Sequence, residues 1–240
     1  MAPNSTVFPT LKHTPIQEIM LAITYDGSIT LDVLEEFKNT AFTKARMPYS
    51  NPTFNANVKL SASKNLETSS RNEGFFLKNA EIPDRALHIR FGSMTLHLLN
   101  RYESLSNLIK ELECYWIEFI KIAKDITVKS ISVRYLNLIT KNNDEAIEKY
   151  VTIYPNHPFK DTKVDAFTNI RFKLEDASVT LVMTEGEIRN EHGIILDYTV
   201  NKNISKGDPD VFNTFNNLRT LKNTVFFKSI TDHTINKYQS

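Results

Sequence analysis

The chain has 240 residues, 41% of them hydrophobic and 24% charged, with a formal net charge of +1. That length suits one large domain or two small ones, and the apolar fraction can bury a core without cross-links. The single cysteine, Cys114, excludes an internal disulfide, and the near-neutral charge with no run of four basic residues argues against a nucleic-acid binder, whose affinity rests on phosphate contacts.

The opening MAPNSTVFPTLKHTP reads as a loose arm to about Leu11, without the basic-then-apolar pattern of a signal peptide. Ile19, Leu21 and Ile23 then alternate with Met20, Ala22 and Thr24 as a strand that Asp26-Gly27 ends. TLDVLEEFKNTAF predicts one helix capped by Thr30, with Val33, Leu34, Phe37 and Ala41 on one face. The prolines of ARMPYSNP break it. Phe54, Ala56, Val58, Leu60 and Ala62 share the face of a second strand, and the polar SKNLETSSRNEG reads as a loop.

RALHIRFGSMTLHLL predicts a hairpin turning at Gly92-Ser93, which sets Phe91 against Met94, Ile89 against Leu96 and His88 against His97. A long helix follows from Leu105 to Lys124, capped by Ser104. Its stripe is Leu105, Leu108, Ile109, Leu112, Trp116, Phe119, Ile120 and Ala123, with Cys114 on the opposite side. In SVRYLNLI, residues 132–139, Val133, Tyr135, Asn137 and Ile139 face one way and Ser132, Arg134, Leu136 and Leu138 the other.

After a short helix and a Pro-rich loop, TNIRFKLEDASVTLVMTEGE predicts another hairpin and GIILDYTVNKN a strand with Asp197 inside it. The last long helix is expected to start at Asp208-Pro209, and a final short helix at Thr231. Hairpin followed by helix thus occurs twice.

Several segments together resemble a sporadically distributed, mostly bacterial family of about 240–270 residues whose function is uncharacterised. They are a Pro-Ile-x-Glu strand (Pro15, Ile16, Glu18), an Arg-Tyr-x-Asn strand (Arg134, Tyr135, Asn137) and an aspartate late in a strand (Asp197). The last is a Lys-Asn-x-x-Phe helix (Lys222, Asn223, Phe226) leading to Ser-Ile-Thr-Asp at 229–232. The resemblance imports no activity. The patchy distribution of that family associates it with bacterial defence or mobile-element operons.

Glu18, Arg134, Asn137 and Asp197 form the candidate binding or structural polar cluster. A strand arginine between apolar neighbours needs a bidentate carboxylate, and Glu18 and Asp197 are its expected partners. A buried asparagine is expected to satisfy backbone groups. His88 and His97 could begin a metal site, but no HExxH, CxxC or His-rich run supplies further ligands, so neither a metal nor a cofactor is expected. No Walker loop, GxSxG, kinase or Rossmann signature is present, and Cys114 has no local base.

The expected fold is α+β: mainly antiparallel sheets in two hairpin-plus-helix units, packed against long amphipathic helices. It forms one domain, with 1–142 and 143–240 as candidate lobes. The expected function is that of a non-catalytic interaction or regulatory protein in the cytoplasm, with a protein partner that can be a second copy of itself, and no membrane. The alternative is an enzyme with a polar site around Arg134, Asn137 and nearby carboxylates.

Overall fold

The computed structural model describes residues 8–60, 66–99, 104–142, 144–154, 167–205 and 210–239. The expectations for Ala62, Asp208 and Pro209 lie outside these residues, as do those for the first seven residues and for the Pro-rich loop from 155 on.

Among the described residues nine strands form one antiparallel sheet, which corrects the expectation of two hairpin-plus-helix units packed on long helices. The strands are β1 (Ile16–Asp26), β2 (Tyr49–Leu60), β3 (Leu66–Lys78), β4 (Arg85–Arg90), β5 (Ser93–Leu99), β6 (Thr127–Thr140), β7 (Phe167–Leu174), β8 (Ala177–Ile188) and β9 (Glu191–Asn203). Their spatial order is β2-β3-β4-β5-β1-β6-β9-β8-β7. The reason for the correction is the β1–β6 seam. It runs from Ile16 opposite Asn137 to Asp26 opposite Thr127 and welds the two meanders into one sheet.

The helices are α1 (Leu31–Asn39), α2 (Ala41–Arg46), α3 (Leu105–Ile122), α4 (Val211–Ser229) and α5 (Asp232–Gln239), and only α3 and α4 are long. Connectivity is similar on the two sides of the seam. A central strand leaves it, a meander returns to lie beside that strand, and a long helix follows.

Period-two alternation assigns the faces. Ile19, Leu21, Ile23 and Tyr25 of β1 join Ile131, Val133, Tyr135 and Ile139 of β6 and Leu196, Tyr198 and Val200 of β9 in the core. The stripe of α3 covers this face with Leu105, Leu108, Ile109, Leu112, Trp116, Phe119 and Ala123. Burying each such side chain contributes about 1.5–3 kcal/mol. Tyr115 is buried beside the predicted stripe, whereas Ile120 is 43% exposed. Cys114 is exposed, on the far side.

Three local expectations are revised. The TLDVLEEFKNTAF helix is two helices. Thr40 leaves the helical region at ψ 150°, and its hydroxyl accepts from the Thr43 N–H to start α2. The polar segment read as a loop is β3. Its first part, to Asn72, pairs only with β2, so it needs no apolar inner face. At Gly74 the backbone has φ 155°, and a Cβ there would lie 2.0 Å from the Ile89 carbonyl oxygen, so only glycine fits.

The β4–β5 register also differs. Arg90 pairs with Ser93, His88 with Thr95 and Ala86 with His97, so the turn is Phe91-Gly92. The shift is by two residues, which preserves the faces, because a slip of one would have inverted them. Finally, the described cap of α4 is Asp210, whose carboxylate accepts from the Phe212 and Asn213 N–H groups. Thr231 caps α5 as expected, accepting from the Thr234 N–H.

Candidate functional site

β6 divides the predicted polar cluster between two surfaces. On the face away from the long helices, Arg134 forms a bidentate pair with Asp197 of β9, Nε to Oδ1 at 2.8 Å and Nη2 to Oδ2 at 2.5 Å. Asp197 sits diagonally across the ladder, opposite Leu136, and this two-residue offset gives the guanidinium room to lie flat along the sheet. The Arg134 side chain is 42% exposed and that of Asp197 18%. The hydrogen bond to Asp197 is the main cause that holds Arg134 charged. The charges of Asp197 and Glu18 add to it, while burial opposes it. Glu18 itself bonds His97 Nδ1 at 2.7 Å. A belt from His97 through Glu18 and Arg134 to Asp197 therefore crosses β5, β1, β6 and β9.

His88 and His97 lie on this same face, diagonally placed, with the Phe76 ring edge-on to both at 5.5 and 5.6 Å. Burial, then Arg90 and His97, pushes His88 down to about 4. No third His, Cys, Asp or Glu joins them as a metal-binding group among the described residues.

Asn137 belongs to the opposite surface, as the alternation along the strand leads one to expect. It is fully buried, and its Nδ2 donates to the Leu196 carbonyl at 3.0 Å. Its Oδ1 is buried without a hydrogen-bond partner among the described residues. An orphaned buried acceptor costs about 1–3 kcal/mol and calls for a reason.

Asn137 lines a half-open cavity of about 350 Å³ bounded by the arm, β6, β9 and α4. The arm contributes Phe8 to Leu11 and Thr14 to Ile16, β9 contributes Tyr198, and α4 contributes Arg219, Lys222, Asn223, Phe226 and Phe227. The arm is not loose over this stretch. Phe8 stacks on Phe227 at 5.4 Å, the Leu138 N–H donates to the Pro15 carbonyl, and Lys12 and His13 donate through their N–H groups to the Tyr238 carbonyl.

Lys222 is the unusual member. α4 buries Phe215, Leu218, Leu221, Val225, Phe226 and Ser229, and helical spacing places Lys222 within that stripe. Lys222 is only 9% exposed. Its Nζ lies 3.9 Å from the centre of the Tyr135 ring, and Tyr135 in turn stacks on Tyr198 with planes 5° apart. No carboxylate pairs with it among the described residues. Burial, and then the charge of Arg219, pushes its ammonium down to about 7. Burial likewise raises Tyr198 well above the ordinary phenol range.

Pro15, Ile16, Asn137, Lys222, Asn223 and Phe226 thus converge on one cavity, whereas Glu18, Arg134 and Asp197 form the belt on the other side. Reading the sequence for catalytic signatures misses Lys222. The available signal was a lysine inside an apolar helical stripe, four residues after Leu218 and three before Val225.

No helix among the described residues is long and apolar enough to cross a membrane. No protein-family model and no curated protein matches the chain. Among solved structures it is similar to the di-domain ARO/CYC StfQ from the steffimycin biosynthetic pathway, at 10% identity and a TM-score of 0.23, over 92% of this chain and 97% of that one. A likeness of that size carries no argument about fold or activity.

Proposed function

We propose that the protein is a non-catalytic regulatory module whose input is a small ligand held in the cavity between the arm, β6, β9 and α4. The observation that carries this reading is the wall of that cavity, where among the described residues the Lys222 ammonium meets a ring face and no carboxylate, and Asn137 has an unpaired Oδ1. Buried polar groups are normally paired, and a cavity lined by a lysine without a counter-charge, an unpaired amide oxygen and several aromatic rings is organised for a guest. The output is a protein partner, which can be a second copy of the chain, at the sheet edge. β7 ends the sheet and exposes Phe167, Ile170 and Phe172, a surface open to strand addition.

The test is ligand-observed NMR with a fragment library, on the wild type and on a Thr14→Trp variant that fills the cavity. Fragments that bind the wild type, fail to bind the variant and are recovered unchanged support the reading. Binding indifferent to Thr14→Trp overturns it. The enzyme alternative is favoured by one feature, a lysine whose ammonium burial pushes down to about 7, so that both the protonated and the neutral amine are present at neutral pH. Conversion of a bound fragment in the same tube decides for it.

A further inference from the structure

We infer that the cavity takes an organic anion: a carboxylate, held by Lys222 with Arg219 at the rim, on an apolar body seated against Phe8, Phe226 and Phe227. This rests on the reading of the cavity as a ligand site. The first argument is charge. An ammonium in this setting requires a counter-charge or must lose its proton, because burying it alone costs several kcal/mol. Among the described residues Lys222 has a ring face and a neighbouring cation, Arg219, where a structural lysine would have a carboxylate. Lys141 provides the contrast. Equally hidden, with a side chain 1% exposed, it has Glu185 at 2.7 Å and two backbone carbonyls. At Lys222 the anion is the missing component.

The second argument is the rest of the wall. Phe8 and Phe227 stack with planes 14° apart, and Phe226 meets Phe227 edge-on, which makes an aromatic shelf for a flat or aliphatic body. A volume of about 350 Å³ lies at the small end of ligand pockets, which suits a monocyclic acid.

The groups that face Lys222 fix the pH dependence. Arg219 from its own helix is a second cation, and Tyr198 from β9 is held neutral by burial. Tyr135 from β6 presents its ring face, and among the described residues the arm contributes Phe8, Pro9, Thr10, Leu11, Thr14 and Pro15 besides Ile16. Lys222 is therefore the group whose proton controls anion binding. A carboxylate binds best when Lys222 is protonated, and its affinity falls as pH rises past about 7.

The experiment is titration calorimetry with 3-phenylpropionate, 3-phenylpropanol and 3-phenylpropylamine, at pH 6 and pH 9, on the wild type, Lys222→Met and Thr14→Trp. The expected result is carboxylate binding at least tenfold tighter than alcohol binding at pH 6, with no amine binding. The carboxylate is at least tenfold weaker at pH 9, and Lys222→Met removes both differences while retaining the alcohol. Alcohol and acid binding equally, or a preference that survives in Lys222→Met, overturns the anion and leaves the cavity reading standing. Should no probe bind the wild type, or binding be indifferent to Thr14→Trp, the cavity reading falls with it.

Discussion

The two surfaces of β6 carry the same kind of residue and treat it differently. Arg134, on the open face, is partly solvated and is nonetheless held by both oxygens of Asp197. Lys222 covers the other face, is far more hidden, and rests against a ring with no carboxylate. The difference teaches that pairing, more than burial, separates structural charge from functional charge. A closed pair has done its work on folding, whereas an open cation beside a cavity still has an interaction to make.

The comparison of faces is broken most forcefully by truncation. Ile23→Ala on the helix-covered face is expected to cost about 2–5 kcal/mol, and its exposed neighbour Thr24→Ala under about 0.5 kcal/mol, by urea unfolding. Near-equal costs would show that both faces are packed. Next, the two cations should respond with opposite signs. Asp197→Ala should destabilise by about 1–2 kcal/mol, a loss reduced from that of a fully buried pair because Arg134 is 42% exposed. Lys222→Met should stabilise by about 1–3 kcal/mol at pH 6, since an unpaired buried charge is replaced by a side chain of similar volume.

That second change also has a pH signature. Lys222 titrates near 7 in the fold and at its ordinary 10.5 when unfolded, so between those values the unfolded chain holds the extra proton. Wild-type stability should therefore rise from about pH 7 to 10.5, with this group contributing up to about 1.4 kcal/mol per pH unit, and Lys222→Met should abolish that rise. A rise retained in the variant would place the titration elsewhere. The smallest expected effect is that of a chelator. EDTA should leave the melting temperature unchanged, because His88 and His97 lack a third ligand among the described residues, and a fall of several degrees would reveal a structural metal.

Much of the architecture was legible because its periods are clean. The apolar alternation of β1 and β6, the cap of α1 at Thr30 and the stripe of α3 all follow from local spacing. The bidentate partner of Arg134 followed from the cost of an unpaired guanidinium, with Asp197 one of two named carboxylates; Glu18 went to His97 instead. The joining of the sheet was not legible, because the β1–β6 pairing spans more than a hundred residues and no local signal encodes it. Nor was the strand nature of β3, whose polar residues extend a ribbon beyond the reach of β4. The cavity stayed hidden for the first of these reasons. Phe8, Asn137, Tyr198 and Lys222 meet only once the arm, both central strands and α4 are assembled.

The arm lies under a two-sided fastening. Pro15 is bound by the Leu138 N–H, and Lys12 and His13 by the carbonyl of Tyr238, whose hydroxyl in turn reaches the carbonyl of Leu138. The two ends of the described chain therefore share one knot around β6. Removing α5 would untie the arm as well as the last helix, exposing the Phe8–Pro15 segment to proteases while the nine-stranded sheet stays intact. The lifetime of anything trapped behind the arm is thus set partly by the tail of the chain, at a residue that never touches it.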